Sequence, residues 1–572
     1  MHGRSLSLTT GPLRAALELG PKPVGVARGF RNFIDTPSRD KGETFKVDGK
    51  PVDPSSQDSL RRLRELMARV ARRLERGFDW SEALPGATER RDNPEIPSGY
   101  TYLLQFVAHD LVQSGLSLAV TEDNKAALVN HRLSPLRLDT VYGGGPDVCP
   151  FAYAKNARDA ALPRTRLRLG RIKTNSTVST APPPRDIARA GRTEEPTLPA
   201  MKDIASGPMA GLSEPLIPDP RNDDHAIISQ LTTLFHLLHN GLLGKLGGEG
   251  AKSGAAATAD RYHHFVCARA MATMVYRNIV REDLLKRLLH PDVYQFHAGS
   301  NPPTLDPWDD RVPVEFSHGA FRCGHAMVRP EYQINSDNRQ LTSEALRQTS
   351  LRGPTKMPLD ERWIVRWSHF FEIEGSQPNL SRRIGPDYTA ALLDNSIFPA
   401  VDEADKEGLA YRDLMSASLA GLWSVPQLIE RIRSAPGFGQ LEFIDWKKPL
   451  TKWLAEYPNS TGLTDADIKT LTDDPPLPMF VLFEAAKQTG GKSLGTLGSI
   501  IVSQVLFGAM QEIPLLNGAG AELTPEALSA QEKKMSCPAD LLSSLLKVAT
   551  MGQLITFMAD SFDLRHQKPA FI

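Results

Sequence analysis

Apolar residues recur at helical spacing through most of this 572-residue chain, and strand-like alternation is scarce. From Ser59 to Arg76, Leu60, Leu63, Leu66, Met67 and Val70 mark one face and arginines fill the other, predicting an amphipathic helix with a solvated basic side. The stretch 96–116, IPSGYTYLLQFVAHDLVQSGL, predicts a second helix that Ser98 is placed to cap. A third runs from about His225 to Leu246, with Asp223 and Asp224 set against its positive N-terminal end. Ala257–Leu289 reads as one long, bent helix. A further helix is expected over 315–330, within EFSHGAFRCGHAMVRPEYQIN. Shorter helical runs fall near 387–393, 410–420, 425–434, 479–488, 497–510 and 538–558.

This pattern predicts a mainly α fold, one large helical domain over 58–572 with long irregular loops. Residues 1–57, rich in Pro, Gly and charge, read as an extended arm laid over it. Periodicity lapses between 131 and 224. Within that stretch 173–220, with its proline triplet Pro182–Pro184, reads as a loop insertion over the surface. There is no internal repeat, and Gly490-Gly491-Lys492 is too short for a phosphate loop.

Composition narrows the classes. Lys plus Arg and Asp plus Glu balance at 67 each, which argues against a general nucleic-acid binder. Four cysteines, Cys149, Cys267, Cys323 and Cys537, show no CxxC pairing, so neither a disulfide framework nor a zinc module is indicated. No signal peptide is read at the N-terminus, and the longest uncharged stretch, Ser493–Gln511, is broken by small polar residues and reads as a buried helix. A soluble, cytoplasmic protein is the expectation, with secretion by a leaderless route left open; the oligomeric state is not readable.

The candidate chemistry lies where polar residues interrupt apolar faces. Gln105 and His109, four apart, share a helix face, and a histidine aimed into a dry pocket is suited to shuttling protons. A histidine satisfied by a backbone carbonyl is the plainer alternative. Within Phe321–His325, His325 sits on a small-residue face with Arg322 three positions earlier. An imidazole beside a guanidinium suits a planar, iron-containing, dianionic ligand: one bonds the metal, the other pairs with a propionate. A hydrogen-bonded core histidine is again the alternative. The segment Pro218–Asp224 reads equally as a turn with an N-cap. Neither His236 and His239 nor His263-His264 shows a third metal ligand.

Taken together, Gln105-x-x-x-His109-Asp110, then Arg221 with Asp224 and His239-Asn240 downstream, then Phe321-Arg322-x-Gly324-His325 resemble the animal-type haem peroxidase superfamily. This is the family of myeloperoxidase, peroxinectin and the cyclooxygenases, and the closest likeness is to its bacterial members. The resemblance covers about residues 95–510. It implies haem b with His325 as axial ligand, His109 as the distal proton carrier beside Gln105, Arg221 as the fixed cation, and Arg322 on a propionate. The implied reaction reduces hydrogen peroxide and oxidises a small-molecule electron donor whose identity the sequence does not give.

Several positions depart from the family pattern. Ala108 replaces the acidic residue that forms one haem ester, and Asp224 is one carbon shorter than the usual glutamate at the other, so non-covalent haem is expected, with at most one ester through Asp224. Asp110 matches a calcium ligand, but Arg137 stands where relatives carry a carboxylate beside Leu138–Gly143. The calcium site is expected to be degraded, with a salt bridge from Arg137 to Asp110 in place of the metal. Asp413 falls where relatives place the asparagine that bonds the proximal imidazole, which is expected to lower the iron potential. Ser416 replaces a haem-contacting arginine. Arg322 occupies the position of the radical tyrosine in the cyclooxygenases, so the peroxidase reading is preferred to a fatty-acid dioxygenase-like one. A haem-binding or interaction protein with weakened chemistry is the alternative from another class.

Overall fold

The first predicted helix forms as α1, Gln57–Glu75, with its apolar stripe buried and Ser56 Oγ accepting the Ser59 amide at 3.3 Å. Its arginines are not all solvated. Arg73 is fully buried, donates to the carbonyls of Trp453 and Gly77 at 2.9 Å, and lies 4.0 Å over the Trp453 ring. The computed structural model describes residues 28–38, 40–81, 90–113, 129–132, 135–155, 163–172, 185–190, 214–247, 255–299, 302–305, 307–309, 311–336, 338–350, 357–398, 408–512, 541–566 and 570–572.

The second predicted helix is shorter than its pattern. Asp92–Pro97 is extended (β1), and α2 spans Gly99–Leu111. Ser98 holds the N-cap position without a side-chain cap; the helix start is fixed instead by backbone bonds, Ser98 N to Asn379 O (2.7 Å) and Gly99 N to Phe370 O (2.9 Å). A Cβ at Gly99 would stand 2.5 Å from that Phe370 oxygen, so the close approach requires glycine. The strand β1 pairs antiparallel with a strand far along the chain, Leu380–Arg382, which ties the entry of α2 to that segment.

Helix α3 spans Ala226–Lys245, capped by His225 itself, whose Nδ1 accepts the Ile228 amide at 3.3 Å; Asp223 is engaged elsewhere. The long predicted helix forms as α4, Ala255–Ile279, and passes through a π-helical turn, Val280–Leu284, into Leu285–Leu288. The 315–330 helix is a π-helical turn over Glu315–Gly319 followed by a 3₁₀ helix over Ala320–Met327, after which Glu331–Asn335 pairs antiparallel with Asn338–Leu341. Further on come α5 (Gly408–Leu419), α6 (Leu477–Gln488) and α7 (Thr496–Glu512). Of the run expected at 538–558, Leu541–Leu546 and Met551–Ser561 are helical and 538–540 lie outside the described residues.

The described strands form two-stranded sheets only, and the apolar faces share one contiguous core. Helix α2 packs on α3 and on the 3₁₀ segment, which backs onto α6 and α7, while α5 joins α1, α6 and the π-helical turn. Residues 28–38 and 40–56 meet this core: the buried Glu315 carboxylate accepts from Asn32 Nδ2 (2.8 Å) and the Phe33 amide (2.7 Å).

Of the expected surface insertion, 173–184 and 191–213 lie outside the described residues. Arg185–Ile187 does not loop over the surface, pairing with Leu169–Arg171 instead, and Arg189 just beyond is fully buried. Among the described residues no helix is long and apolar enough to cross a membrane.

Candidate active site

The proximal side is built by the 3₁₀ helix Ala320–Met327. With three residues per turn, positions i and i+3 eclipse, so Arg322 and His325 rise from one edge. Both meet Asp413 on α5. Its Oδ2 lies 2.6 Å from His325 Nδ1, and its Oδ1 lies 3.6 Å from Arg322 Nη1. Tyr388 donates its hydroxyl to the same Oδ2 at 3.1 Å. An ionised carboxylate only accepts, so Nδ1 of His325 carries the proton and Nε2 keeps its lone pair. The Asp413 side chain is 2% exposed, whereas that of His325 is 23% exposed. Arg322 Nε is held by the Ser317 carbonyl at 3.0 Å, so its guanidinium is turned toward Asp413.

On the facing helix, α2 keeps partial exposure at Gln105 and Ala108, an i, i+3 pair on an otherwise buried element. The two elements touch where Leu104 meets Gly324, since a Cβ at that glycine would sit 3.9 Å from Leu104 Cβ. Gln105 Oε1 accepts from His225 Nε2 at 2.8 Å. His109 is buried, with Nδ1 2.8 Å from Asn222 Oδ1. Burial, followed by the Arg221 charge, pushes the His109 imidazole down to about 3.

Arg221 sits in the 3₁₀ turn Pro220–Asp223. Its Nε and Nη2 fork onto Asp219 at 3.0 and 2.7 Å, Nη1 donates to Val112 O at 2.6 Å, and Nη2 also donates to His109 O at 2.8 Å. These bonds use all its N–H groups but one, on Nη1. Arg132 reaches the same two acceptors, Asp219 Oδ2 at 2.5 Å and His109 O at 3.0 Å. Burial alone would raise Asp219, yet Arg221 and Arg132 hold it well below the usual carboxylate range. Asp224, one turn after Arg221, is partly exposed, and burial raises its carboxyl against the pull of Arg221.

Other expected participants lie apart from this group. His239 bridges Tyr142 OH (3.1 Å) and Thr165 O (2.9 Å), and Asn240 pairs with both backbone groups of Leu167. The His-Asn pair therefore clamps the 165–168 backbone. Asp110 accepts the Leu138 amide at 3.0 Å and the Thr140 amide at 3.4 Å. The positive charges of Arg132 and Arg277 both act on this carboxyl. Ser416 is buried. Among the described residues no group of three His, Cys, Asp or Glu side chains is placed to hold a metal ion.

Sequence reasoning missed Asn222, Asp219, Arg132 and Tyr388. The first two flank Arg221, and a search for side-chain acceptors beside that cation finds them; Arg132 and Tyr388 carry no sequence signal.

No family model and no curated protein matches the chain. Solved structures do. Peroxidase A from Dictyostelium discoideum matches with a TM-score of 0.54 at 14% identity, over 95% of this chain and 95% of that one. A fatty acid alpha-dioxygenase from Arabidopsis thaliana matches at 0.51 and 13%, over 96% of this chain and 86% of that one. The Oryza sativa fatty acid alpha-dioxygenase matches at 0.51 and 11%, over 98% and 91%. The likeness is one of fold, and it bears out the single, mainly helical peroxidase-like architecture expected from the three motifs.

Proposed function

We propose that this chain, which has the fold shared by a peroxidase and by fatty acid alpha-dioxygenases, is a haem-dependent peroxidase that reduces hydrogen peroxide with electrons from a small molecule. The observation that carries this reading is His325, whose Nδ1–H is fixed on buried Asp413 while the side chain keeps partial exposure and Nε2 keeps its lone pair. A histidine oriented by a carboxylate at one nitrogen and open at the other is the donor an axial metal site requires. The residues therefore fit a haem, which His325 would hold through Nε2 and Arg322 would help anchor through a propionate. When bound, haem supplies the two-electron redox chemistry that breaks the peroxide O–O bond.

The chain's own groups handle protons and charge. With its Nδ1–H on Asn222, His109 has Nε2 as its basic atom, able to take a proton from peroxide and return it to the departing oxygen. Arg221 is immobilised by Asp219 and two carbonyls, which presents a cation needing no reorganisation as negative charge develops. Gln105, with its oxygen committed to His225, offers its amide N–H groups. Haem attachment is non-covalent, with at most one ester, through Asp224. The oxygenase reading lacks its phenol, because Arg322 occupies that position.

The test is the absorption spectrum of the purified chain supplied with haem, before and after one equivalent of hydrogen peroxide. A Soret band that shifts rapidly with peroxide and is absent in His325→Ala supports a peroxidase. A band indifferent to peroxide supports the haem-binding alternative, and no band removes both.

A further inference from the structure

We infer that Tyr388 sets the electron-donating strength of the proximal histidine by competing with it for one carboxylate oxygen. This rests on the reading of His325 as the axial ligand.

The geometry is specific. The Tyr388 hydroxyl and His325 Nδ1 converge on the same atom, Asp413 Oδ2, at 3.1 and 2.6 Å, while Arg322 Nη1 stands 3.6 Å from the other oxygen. Tyr388 and Asp413 are both nearly excluded from solvent, so water does not level the competition. Negative charge drawn toward the phenol proton is charge the oxygen no longer offers to the imidazole N–H. A second donor on Oδ2 therefore weakens the pull on that N–H, and the imidazole keeps more neutral character. Asp413 alone would drive the imidazole toward imidazolate and make the iron electron-rich. Tyr388, with Arg322 on the far oxygen, moderates it. Tyr388 comes from the irregular chain before the short helix Ala390–Leu393, an element separate from both α5 and the 3₁₀ segment, so this bond is not imposed by the secondary structure that carries its partners.

The test measures the ferric/ferrous midpoint potential and the iron–imidazole stretching frequency of the haem-loaded protein. Tyr388→Phe removes the competing donor and is expected to lower the potential and raise the stretching frequency. Asp413→Asn is expected to move both the opposite way. Replacing Tyr388 with 3-fluorotyrosine, a stronger donor of nearly the same shape, is expected to raise the potential, which keeps the inference falsifiable should the phenylalanine variant fail to fold. A purely structural tyrosine would alter stability without this pattern of signs. If the Soret band depends on His325 but the potential is unmoved or rises in Tyr388→Phe, the inference falls and the peroxidase reading stands. If the unmodified chain takes up no haem, both fall.

Discussion

Asn222 Oδ1 stands 2.8 Å from His109 Nδ1, and both side chains are buried. The amide oxygen can only accept, so the bond fixes the imidazole tautomer with its lone pair on Nε2. Burial and then Arg221 hold this histidine down to about 3, so it stays neutral, and basic, until the pH falls that far. The rate of reaction of the haem-loaded protein with peroxide is therefore expected to be flat from about pH 7 to about pH 4 and to decline below that. Asn222→Asp places a negative charge on the Nδ1–H, favours the imidazolium, and is expected to move the acid limb toward neutrality. Stopped-flow absorbance across pH checks both. An unmodified protein whose acid limb centres on the ordinary histidine value of about 6.5 would sink the burial argument.

Arg221 offers a second test. Its fork onto Asp219 and its two carbonyl contacts depend on a planar guanidinium. Lysine keeps the charge but cannot hold that geometry. Arg221→Lys is expected to slow the peroxide reaction about 10²–10³-fold while haem affinity is retained. An unchanged rate would make Arg221 a structural clamp for the end of α2 and nothing more.

Apolar spacing located the helices well, although a single buried stripe explains only α1, since α3 is buried nearly all round. Around the site it was less informative. Arg322 and His325 share an edge whether the segment is α or 3₁₀, since a separation of three aligns residues in either, so their joint face was legible while the helix type was not. Asp413 was placed by resemblance and does meet His325. Asn222 lay inside the DPRNDD segment but reads there as a turn residue. Tyr388 reaches Asp413 from irregular chain, and Arg132 reaches Asp219 across 87 positions. Contacts of that kind have no period to betray them. Arg73 misled for the opposite reason, because a basic residue on a helix flank is usually solvated and this one is enclosed by the 453–457 region.

A buried ionic triad behind the distal turn sets a stability prediction. Arg189 forks onto Asp223 with two bonds of 2.7 Å and donates to Asp186 at 3.0 Å, all three side chains being fully buried. Ser350 Oγ adds a 2.7 Å bond to Asp223. Removing the shared cation leaves two carboxylates buried together, so Arg189→Leu is expected to cost about 3–5 kcal/mol. Ser350→Ala is expected to cost about 1 kcal/mol. Chemical denaturation midpoints at constant slope measure both; a loss below about 1 kcal/mol for Arg189→Leu would mean that the cluster relaxes or hydrates.

The last prediction concerns calcium. Burial, and then the nearby Asp139 charge, act to raise the Asp110 carboxyl, which stands at about 6 despite the opposing pull of Arg132. A carboxylate so placed needs a counter-charge, and two sources compete to supply one. Calcium takes six to eight oxygen ligands and would need the lone pairs of Asp110 and its neighbours. Those of Asp110 already receive the Leu138 and Thr140 amides, and Asp139 Oδ1 receives Arg269 at 3.2 Å. Arg132, itself buried, contributes the largest opposing positive charge on Asp110, with Arg277 acting on it as well. The purified protein is therefore expected to carry no stoichiometric calcium by elemental analysis, and its thermal midpoint to be the same in chelator as in excess calcium. Arg132→Met, by contrast, strips the cation shared by the Asp110 and Asp219 environments and is expected to destabilise by about 3–5 kcal/mol. One bound calcium per chain would overturn the assignment of that role to Arg132.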